Sequence, residues 1–296
     1  MLIREYIRVK DDRLLDGLSP VVKIMSQVEA TKENNIIIDF SDAHFVSPVF
    51  VLSLIIYLTK CGKSITFQNV PDYLAVIGLD SGGIKPDQIR QTEFLAILER
   101  YASKTYIPII NFDAHRNSDA KEVVSSLVEN MIIRQLSIQH NVANGFKYMI
   151  DEILDNITEH SESDRGYIFA QAYPNKAFLD VCIADSGVTL LGSYQKLPGN
   201  EIVSDMEAIR AANRGISSKN LPDAENRGYG IRTSKGMLVD GLGGQFMMIS
   251  GSGLYFKRPD YDSFFRMPDG LRWNGTIVVL RIPYRSDKFN YINYLE

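Results

Sequence analysis

The sequence predicts an α/β protein built from two domains. Its 296 residues are 45% hydrophobic, which is enough for two cores of ordinary size. The N-terminal part alternates short apolar strands with helices, and this alternation is typical of helices packed on a sheet. The C-terminal part contains two long helical patterns and several strands. The loop-like stretch 80–88 separates the two parts, and we take 1–95 and 96–296 as the domains.

The N-terminal elements can be delimited by their flanking residues. An apolar run over 35–40 predicts a short strand. The run "FVSPVFVLSLIIYL" is shorter than the roughly 20 residues of a membrane span and therefore predicts a buried helix. Pro48 suits the first turn of that helix, and Gly62 suits its end. "SITFQNV" predicts the next strand, and "PDYLAVIGL" predicts a helix that opens at Pro71.

Composition excludes several classes of function. The 32 basic residues are outnumbered by 36 acidic ones, for a net charge of -4, so we do not expect nucleic acid as a partner. The two cysteines, Cys61 and Cys182, lie far apart inside apolar runs, and we interpret them as buried thiols of a reducing compartment. The N-terminal stretch "MLIREYIRVKDD" is charged throughout, unlike a signal peptide. We therefore expect a cytoplasmic protein without a membrane partner.

One N-terminal stretch, "IIIDFSDAHFVSPVFVLSLI", runs from an aspartate-ended strand through a turn into a helix. It resembles the STAS domain of anti-sigma factor antagonists over about residues 30–80. In that family the turn carries a phosphorylatable serine just after an aspartate, whereas this chain has Ser47, Pro48 and Val49 at that place. The resemblance thus implies a STAS-like domain without its switch serine. We interpret Ser47 as a helix cap and the domain as a docking surface.

The C-terminal domain carries a polar pair on an otherwise apolar helix. The stretch "YMIDEILDNITEH" places Glu152 and Asn156 four residues apart. Four residues of α-helix turn about 400° and rise about 6 Å, so the two side chains stack on one side. They can act on one ligand, although a glutamate followed one turn later by an asparagine is also commonplace. We interpret the neighbouring Asp151 and Asp155 as solvated or structural charges.

Three further motifs follow this helix. "VCIADSG" ends a strand-like run in an aspartate, "NRGYGIRTSKGML" sets two glycines before a helix, and "WNGTIVVLRIP" places a threonine before a strand. Backbone N–H groups at a helix start can hold phosphate oxygens. The second motif lacks the third glycine of a dinucleotide fingerprint and the Gly-Lys-Ser/Thr ending of a P-loop. The candidate residues of the three motifs are Asp185, Gly187, Arg227, Gly228, Gly230 and Thr276.

In this order the segments resemble the N, G1 and G2 boxes and the closing strand of the GHKL ATPases. That superfamily includes histidine-kinase catalytic domains, anti-sigma serine kinases and heat-shock chaperones. The resemblance covers about residues 105–285, and "DEILDNITEH" is most similar to the anti-sigma kinase form. It implies a two-layer α/β sandwich, the Bergerat fold, that binds ATP and Mg²⁺. The chain shows no paired-helix histidine motif, so we do not expect a complete two-component sensor.

Within such a site each polar residue has a chemical role. Magnesium takes oxygen ligands, and the Asn156 amide can supply one without adding negative charge beside a triphosphate. Glu152 can accept a proton from the attacking water or hydroxyl. The resemblance assigns the adenine amino group to Asp185, whose carboxylate only accepts hydrogen bonds, and it places Thr276 near the base. Arg227 could either add a charged phosphate contact or face solvent.

Glycines are expected to shape the two loops of the site. Gly187 would allow the backbone to approach the base closely, and Gly228 and Gly230 would bring backbone N–H groups to the phosphates. The family usually has a second glycine two positions after Gly187. This chain has Thr189 there, which leaves the path of the turn open.

The stretch 190–228 between these motifs predicts a mobile lid. Ser204 with Glu207 three residues later predicts a capping box, and Gly215 predicts the end of the helix that follows. We therefore expect one defined helix between two loops.

Three functions are compatible with these motifs. The first is an Mg-ATP-binding regulatory protein that hydrolyses ATP or phosphorylates a serine of a protein partner in an anti-sigma-like switch. The alternative is a non-catalytic interaction module whose partner affinity is set by ATP closing its lid. The spacing of Glu152 and Asn156 favours the first, whereas Thr189 and the missing switch serine favour the second. A structural α/β adapter with coincidental motifs is the third. A homodimer is left open.

Overall fold

The computed structural model describes residues 1–4, 7–8, 13–101, 103–115, 120–136, 140–218, 230–284 and 289–295. These residues form a mixed α/β structure with a three-stranded parallel sheet and a seven-stranded antiparallel sheet. The predicted α/β class is confirmed at this level.

The strands are β1 (Leu2–Arg4), β2 (Ile7–Arg8), β3 (Asn35–Asp39), β4 (Ala43–Phe45), β5 (Ser64–Gln68), β6 (Tyr106–Asp113), β7 (Arg165–Tyr173), β8 (Phe178–Asp185), β9 (Gln245–Gly251), β10 (Gly253–Arg258), β11 (Tyr261–Arg266) and β12 (Trp273–Pro283). The helices are α1 (Leu18–Ala30), α2 (Pro48–Lys60), α3 (Asp72–Val76), α4 (Gln91–Tyr101), α5 (Ala120–Leu136), α6 (His140–His160), α7 (Leu190–Tyr194), α8 (Asp205–Asn213) and α9 (Gly230–Lys235). Short 3-10 turns cover Leu14–Gly17, Pro86–Gln88, Pro174–Lys176 and Tyr291–Tyr294, and a π-helical turn, Gly236–Gly241, extends α9.

The N-terminal part is a small parallel sheet in the order β1-β3-β5. Alternation along β3 buries Ile36 and Ile38 and leaves Ile37 exposed, so one face of this sheet packs against helices. A second parallel pair joins β2 to β4. Helix α3 ends earlier than "PDYLAVIGL" predicted, because the chain turns at Gly78, where φ is +89°.

Helix α2 is buried on every side. Each residue from 48 to 57 is buried, as expected of a helix that is hydrophobic all round. Its start is fixed by Pro48 in the first turn and by Ser47, whose hydroxyl accepts a hydrogen bond from the Phe50 N–H at 3.4 Å. The helix stops just before Gly62, where φ is +70°. Both the predicted buried helix and the predicted capping role of Ser47 are confirmed.

The larger sheet runs in the order β11-β10-β9-β12-β8-β7-β6, with every neighbouring pair antiparallel. Its strands alternate between two hydrophobic clusters. Cys182 and Val279 point to the side covered by α2, and Ile183 and Val278 point to the side covered by α6. The sheet therefore lies between two helical layers, because α2 supplies a layer that the predicted two-layer sandwich did not include.

The contacts of α2 join the N-terminal part to the large sheet in one core. Trp273 of β12 is fully buried, and its indole N–H donates to the Ser53 carbonyl of α2 at 3.0 Å. Tyr73 donates to the Gln171 side chain of β7 at 2.6 Å. The division at residue 95 stays a prediction, since one hydrophobic cluster contains residues from both sides of it.

The predictions for the two cysteines and for the helix over 119–139 agree in part with the structure. Cys182 is fully buried, whereas Cys61 is only partly buried, and neither forms a disulfide. The predicted helix 119–139 is α5, but residues 119 and 137–139 lie outside the described part of the chain. Along the described ranges, no helix is both long enough and apolar enough to cross a membrane.

Candidate functional site

A cavity of about 370 Å³ opens on the α6 side of the large sheet, within the range of small-molecule pockets. Its apolar floor is formed by Ile183 of β8, Met248 of β9 and Val278 of β12. The walls come from α6, from α7, from the end of α8 and residues 216–218 after it, and from the start of α9. The predicted site residues that line it are Glu152, Asn156, Asp185, Gly230 and Thr276.

One side of α6 forms the polar wall of the cavity. Glu152 and Asn156 both line it, as predicted from their spacing, and so do Asp155 and Glu159. The Asn156 Nδ2 donates to the Glu152 carbonyl at 2.8 Å. This bond uses the amide nitrogen within the helix, so the Oδ1 atom is the end of the side chain suited to a ligand.

Two of these four residues, Asp155 and Glu159, were not predicted to lie in the site. Asp155 was interpreted as a solvated or structural charge, but it lines the cavity. Glu159 was not singled out, although Glu152 lies seven residues before it, and residues seven apart share a helix face. Asp151 does have a structural role, because it accepts a hydrogen bond from Ser125 and pairs with Lys147 at 3.5 Å.

Gly230 brings α9 against the Glu152 side chain. A Cβ atom added at Gly230 would lie 2.0 Å from the Glu152 Oε2 atom, a distance that no real contact allows. The glycine therefore lets the α9 backbone approach the carboxylate, and the two predicted motifs meet at this point. The predicted site residues Arg227 and Gly228 lie outside the described residues.

Asp185 is the last residue of β8 and is only 2% exposed. Its Oδ1 accepts the Gly187 N–H at 2.9 Å, and its Oδ2 accepts the Thr276 N–H at 3.2 Å. Burial raises the pKa of Asp185 to about 7, and these two backbone hydrogen bonds oppose the rise only in part. The group is a buried carboxyl that faces a cavity and titrates near neutral pH, a combination typical of functional sites.

The partner strand β12 holds Asp185 through an irregularity that the sequence analysis missed. The register of β12 shifts between Trp273 and Thr276, and Gly275 has a φ of +81°. A Cβ atom at Gly275 would lie 2.3 Å from the Asp185 carbonyl oxygen. The Asn-Gly dipeptide at 274–275 was the available signal, since this pair favours positive φ.

Ser250 of β9 ties three elements together beside Asp185. Its hydroxyl lies 3.1 Å from the Thr276 hydroxyl, donates to the Gly275 carbonyl at 3.2 Å, and accepts the Leu190 N–H at 2.9 Å. The start of α7 is thereby fixed to the two strands that carry the base of the cavity. A lone serine in a strand offers no sequence pattern that predicts this role.

Local contacts explain why position 187 is a glycine and why position 189 can be a threonine. A Cβ atom at Gly187 would lie 1.8 Å from the Ser161 carbonyl oxygen, so glycine is needed for the approach of α6 and its following turn. This contact is with the chain itself, and Gly187 does not line the cavity. Thr189 has a φ of -73° and caps α7 by accepting the Gly192 N–H at 3.2 Å. Its backbone therefore does not need a second glycine.

The predicted lid contains a firmly anchored helix. Ser204 caps α8 by accepting the Glu207 N–H at 3.2 Å, and the chain leaves the helix at Gly215, where φ is +83°. These predictions are confirmed. Asp205, at the start of α8, also accepts the N–H and hydroxyl of Ser252 at 2.9 and 3.0 Å. The N-terminal end of α8 is thus held on the turn between β9 and β10.

The charge of the cavity limits what it can bind. Its described lining carries the carboxyl groups of Glu152, Asp155, Glu159 and Asp185 and includes no lysine or arginine. A phosphate group placed beside α6 would meet these carboxylates, so a cation must accompany it. The apolar floor next to Asp185 suits an uncharged ring with a hydrogen-bond donor.

Comparison with known proteins adds no family assignment. The chain matches no protein-family model, and no curated protein shows significant similarity to it. Function must therefore be inferred from the cavity itself.

Proposed function

We propose that the chain is an Mg-ATP-binding regulatory protein whose nucleotide occupies the cavity between α6, α9 and the large sheet. The observation that supports this proposal is that residues from separate sequence motifs line the same cavity. Residues from all the predicted motifs that the structure describes, Glu152 and Asn156, Asp185, Gly230, and Thr276, line one cavity of about 370 Å³.

The buried end of the cavity suits adenine. Asp185 and Ile183 line the cavity together, and a carboxylate accepts the exocyclic NH2 of adenine but cannot donate to the carbonyl of guanine. A ring lying over Met248 and Val278 would bury apolar surface. The same carboxyl group is already held in place by two backbone N–H donors.

The α6 wall suits a metal-bound phosphate chain. Asn156 has an amide oxygen available because its Nδ2 bonds to the helix, and Asp155 and Glu159 lie on the same wall. These are oxygen donors of the kind that hold Mg²⁺. When bound, Mg²⁺ neutralises phosphate charge that the acidic wall would otherwise repel.

Glu152 is the candidate general base. Its carboxylate can take the proton of a water molecule or of a serine hydroxyl on a protein partner as that oxygen attacks the terminal phosphorus. The bond to ADP breaks as the new phosphorus–oxygen bond forms. Hydrolysis then yields phosphate, and transfer yields a phosphoserine.

One contact favours the non-catalytic alternative, in which ATP only sets partner affinity. The Glu152 Oε2 atom packs against Gly230, and a carboxylate held there is turned toward α9. If this arrangement persists with nucleotide bound, the protein binds ATP without useful turnover.

Calorimetry with the whole chain tests the nucleotide binding that both functions require. ATP should bind with Mg²⁺ and lose most of its affinity without the metal, whereas adenosine, which carries no phosphate, should bind equally well in both conditions. Failure of adenosine, ADP and Mg-ATP to bind would refute both ATP-dependent functions.

Turnover then distinguishes catalysis from gating. We expect Glu152→Gln to bind Mg-ATP normally and to lose ADP formation by roughly a hundredfold or more, the usual contribution of a general base. Wild-type protein that binds Mg-ATP but forms no ADP or phosphoprotein would establish the gating alternative.

A further inference from the structure

A second cavity borders two of the helices, α8 and α9, that line the proposed nucleotide cavity. It has a volume of about 580 Å³ and lies between the C-terminal end of α8, α9 and the C-terminal residues 293–295. Among the residues that the structure describes, its lining includes the basic residues Arg214, Arg232 and Lys235 and one acidic residue, Asp240. Its charge is thus opposite in sign to that of the first cavity.

The acidic residue of this cavity is already compensated. Asp240 pairs with Lys257 of β10, whose Nζ atom lies 3.1 and 3.2 Å from the two carboxylate oxygens. Among the described residues, no ion-pair partner faces the exposed Arg214 guanidinium. The cavity therefore has a surplus of positive charge.

Lys235 is the partly buried cation of the group. Its Nζ donates to the carbonyl and to the side-chain oxygen of Asn213, each at 3.1 Å. A lysine ammonium has three N–H donors, so these bonds leave one for the Tyr255 ring, 5.2 Å away, or for a ligand. Burial and the nearby Lys257 lower the pKa of Lys235 to about 8, while Asp262 and Asp240 oppose this. A bound anion would raise this pKa again.

We propose that this second cavity binds a phosphate-class oxyanion through Arg214 and Lys235. Such an anion offers several acceptor oxygens and at least one full negative charge, which suits one guanidinium and one ammonium group. Inorganic phosphate and a phosphorylated serine share this chemistry.

The end of α8 and the helix α9 line both cavities. Ala212 and Ile231 line the first, and Arg214 and Arg232, two and one residues further on, line the second. An anion that draws Arg214 and Lys235 together would therefore shift the ends of α8 and α9 that face the first cavity. This regulatory part rests on the proposed function, whereas anion binding itself does not.

Anion binding is tested without nucleotide, by titrating the whole chain with inorganic phosphate at constant ionic strength and following phosphorus NMR. We expect saturable binding that weakens roughly tenfold in Arg214→Gln and in Lys235→Met, since each loses a charge-assisted hydrogen bond. Arg258→Gln is the control for the first variant, because Arg258 pairs with Asp260 on another surface.

Lys235 has a purely structural alternative, as a cap on Asn213, the last residue of α8. Lys63→Met is the matched control, since Lys63 caps α1 by donating to the Val28 and Thr31 carbonyls at 2.6 Å each. A structural role alone would lower stability in both lysine variants and leave phosphate affinity unchanged in both. That result, or phosphate binding that is equal in all variants, would overturn the proposal.

A second titration with N-acetyl-O-phosphoserine amide identifies the source of the anion. Tighter binding than that of phosphate indicates a phosphorylated protein, and weaker binding indicates free phosphate. Absence of binding by both probes overturns the proposal. If phosphate binds but adenine nucleotides do not, the anion site stands and only the proposed function fails.

Discussion

Replacement of Asp185 by asparagine should change how stability depends on pH. Asp185 is buried with a pKa of about 7, against 3.8 for a free aspartate. Between these values the native state keeps a proton that the unfolded chain releases. Stability therefore falls as pH rises through this window and levels off above pH 7. The asparagine variant carries no proton to release and should lack this component.

The magnitude follows from the shift. One proton contributes about 1.4 kcal/mol per pH unit, so about 3 kcal/mol of the wild-type stability is lost between pH 5 and pH 8, where the carboxyl is almost fully ionised. In Asp185→Asn the new side chain still accepts one backbone N–H, but its NH2 opposes the Thr276 N–H, a loss of about 1 kcal/mol at every pH. Relative to wild type, the variant should gain about 3 kcal/mol between pH 5 and pH 8.

Urea denaturation at both pH values measures this difference directly. Asp260→Asn is the control, since Asp260 is 73% exposed and should give the same difference from wild type at pH 5 and pH 8. A change below about 1 kcal/mol for Asp185→Asn would show that Asp185 ionises freely in the folded protein. The burial argument would then be wrong.

Three other predictions concern the cavity and the start of α8. ADP affinity should fall about tenfold per pH unit below pH 7, since adenine needs the ionised carboxyl of Asp185; a flat calorimetric profile from pH 5.5 to 8 would contradict this. Gly187→Ala should lower the free energy of unfolding by about 3 kcal/mol or prevent folding, because its Cβ would meet the Ser161 carbonyl oxygen at 1.8 Å. Gly192→Ala is the control, since its Cβ would lie 3.3 Å from Val188. In urea denaturation it should lower the free energy of unfolding by less than about 1 kcal/mol. Asp205→Ala should free the start of α8 from Ser252 and speed proteolysis near it; equal cleavage rates in wild type and variant would argue against this anchor.

Much of the fold could be predicted because residues close in sequence determine where its helices begin and end. Pro48 and Gly62 delimit α2, and Ser204 and Gly215 delimit α8, so short-range chemistry sets these ends. The surface that covers α2 could not be predicted. A helix that is apolar all round must be buried, but its sequence does not say that the far side of the large sheet receives it.

The candidate site could be predicted where its residues belong to a recognisable sequence motif. Glu152, Asn156 and Asp185 could be found because their spacing and their position at an element end are visible in the sequence. Ser250 acts through a contact between strands that are adjacent only after folding. Asp155 follows Glu152 by three residues, a step that also keeps two side chains on neighbouring parts of one helix face, so its place on the cavity wall was within reach of the sequence.

The most direct test of ATP binding is a calorimetric titration of the whole chain with Mg-ATP, beside Asp185→Asn and Asn156→Ala. We expect saturable binding by the wild type, loss of adenine-dependent affinity in the first variant, and loss of the metal-dependent part alone in the second. Absence of binding by the wild type, or equal affinity in all three proteins, would contradict the assignment of this cavity to ATP.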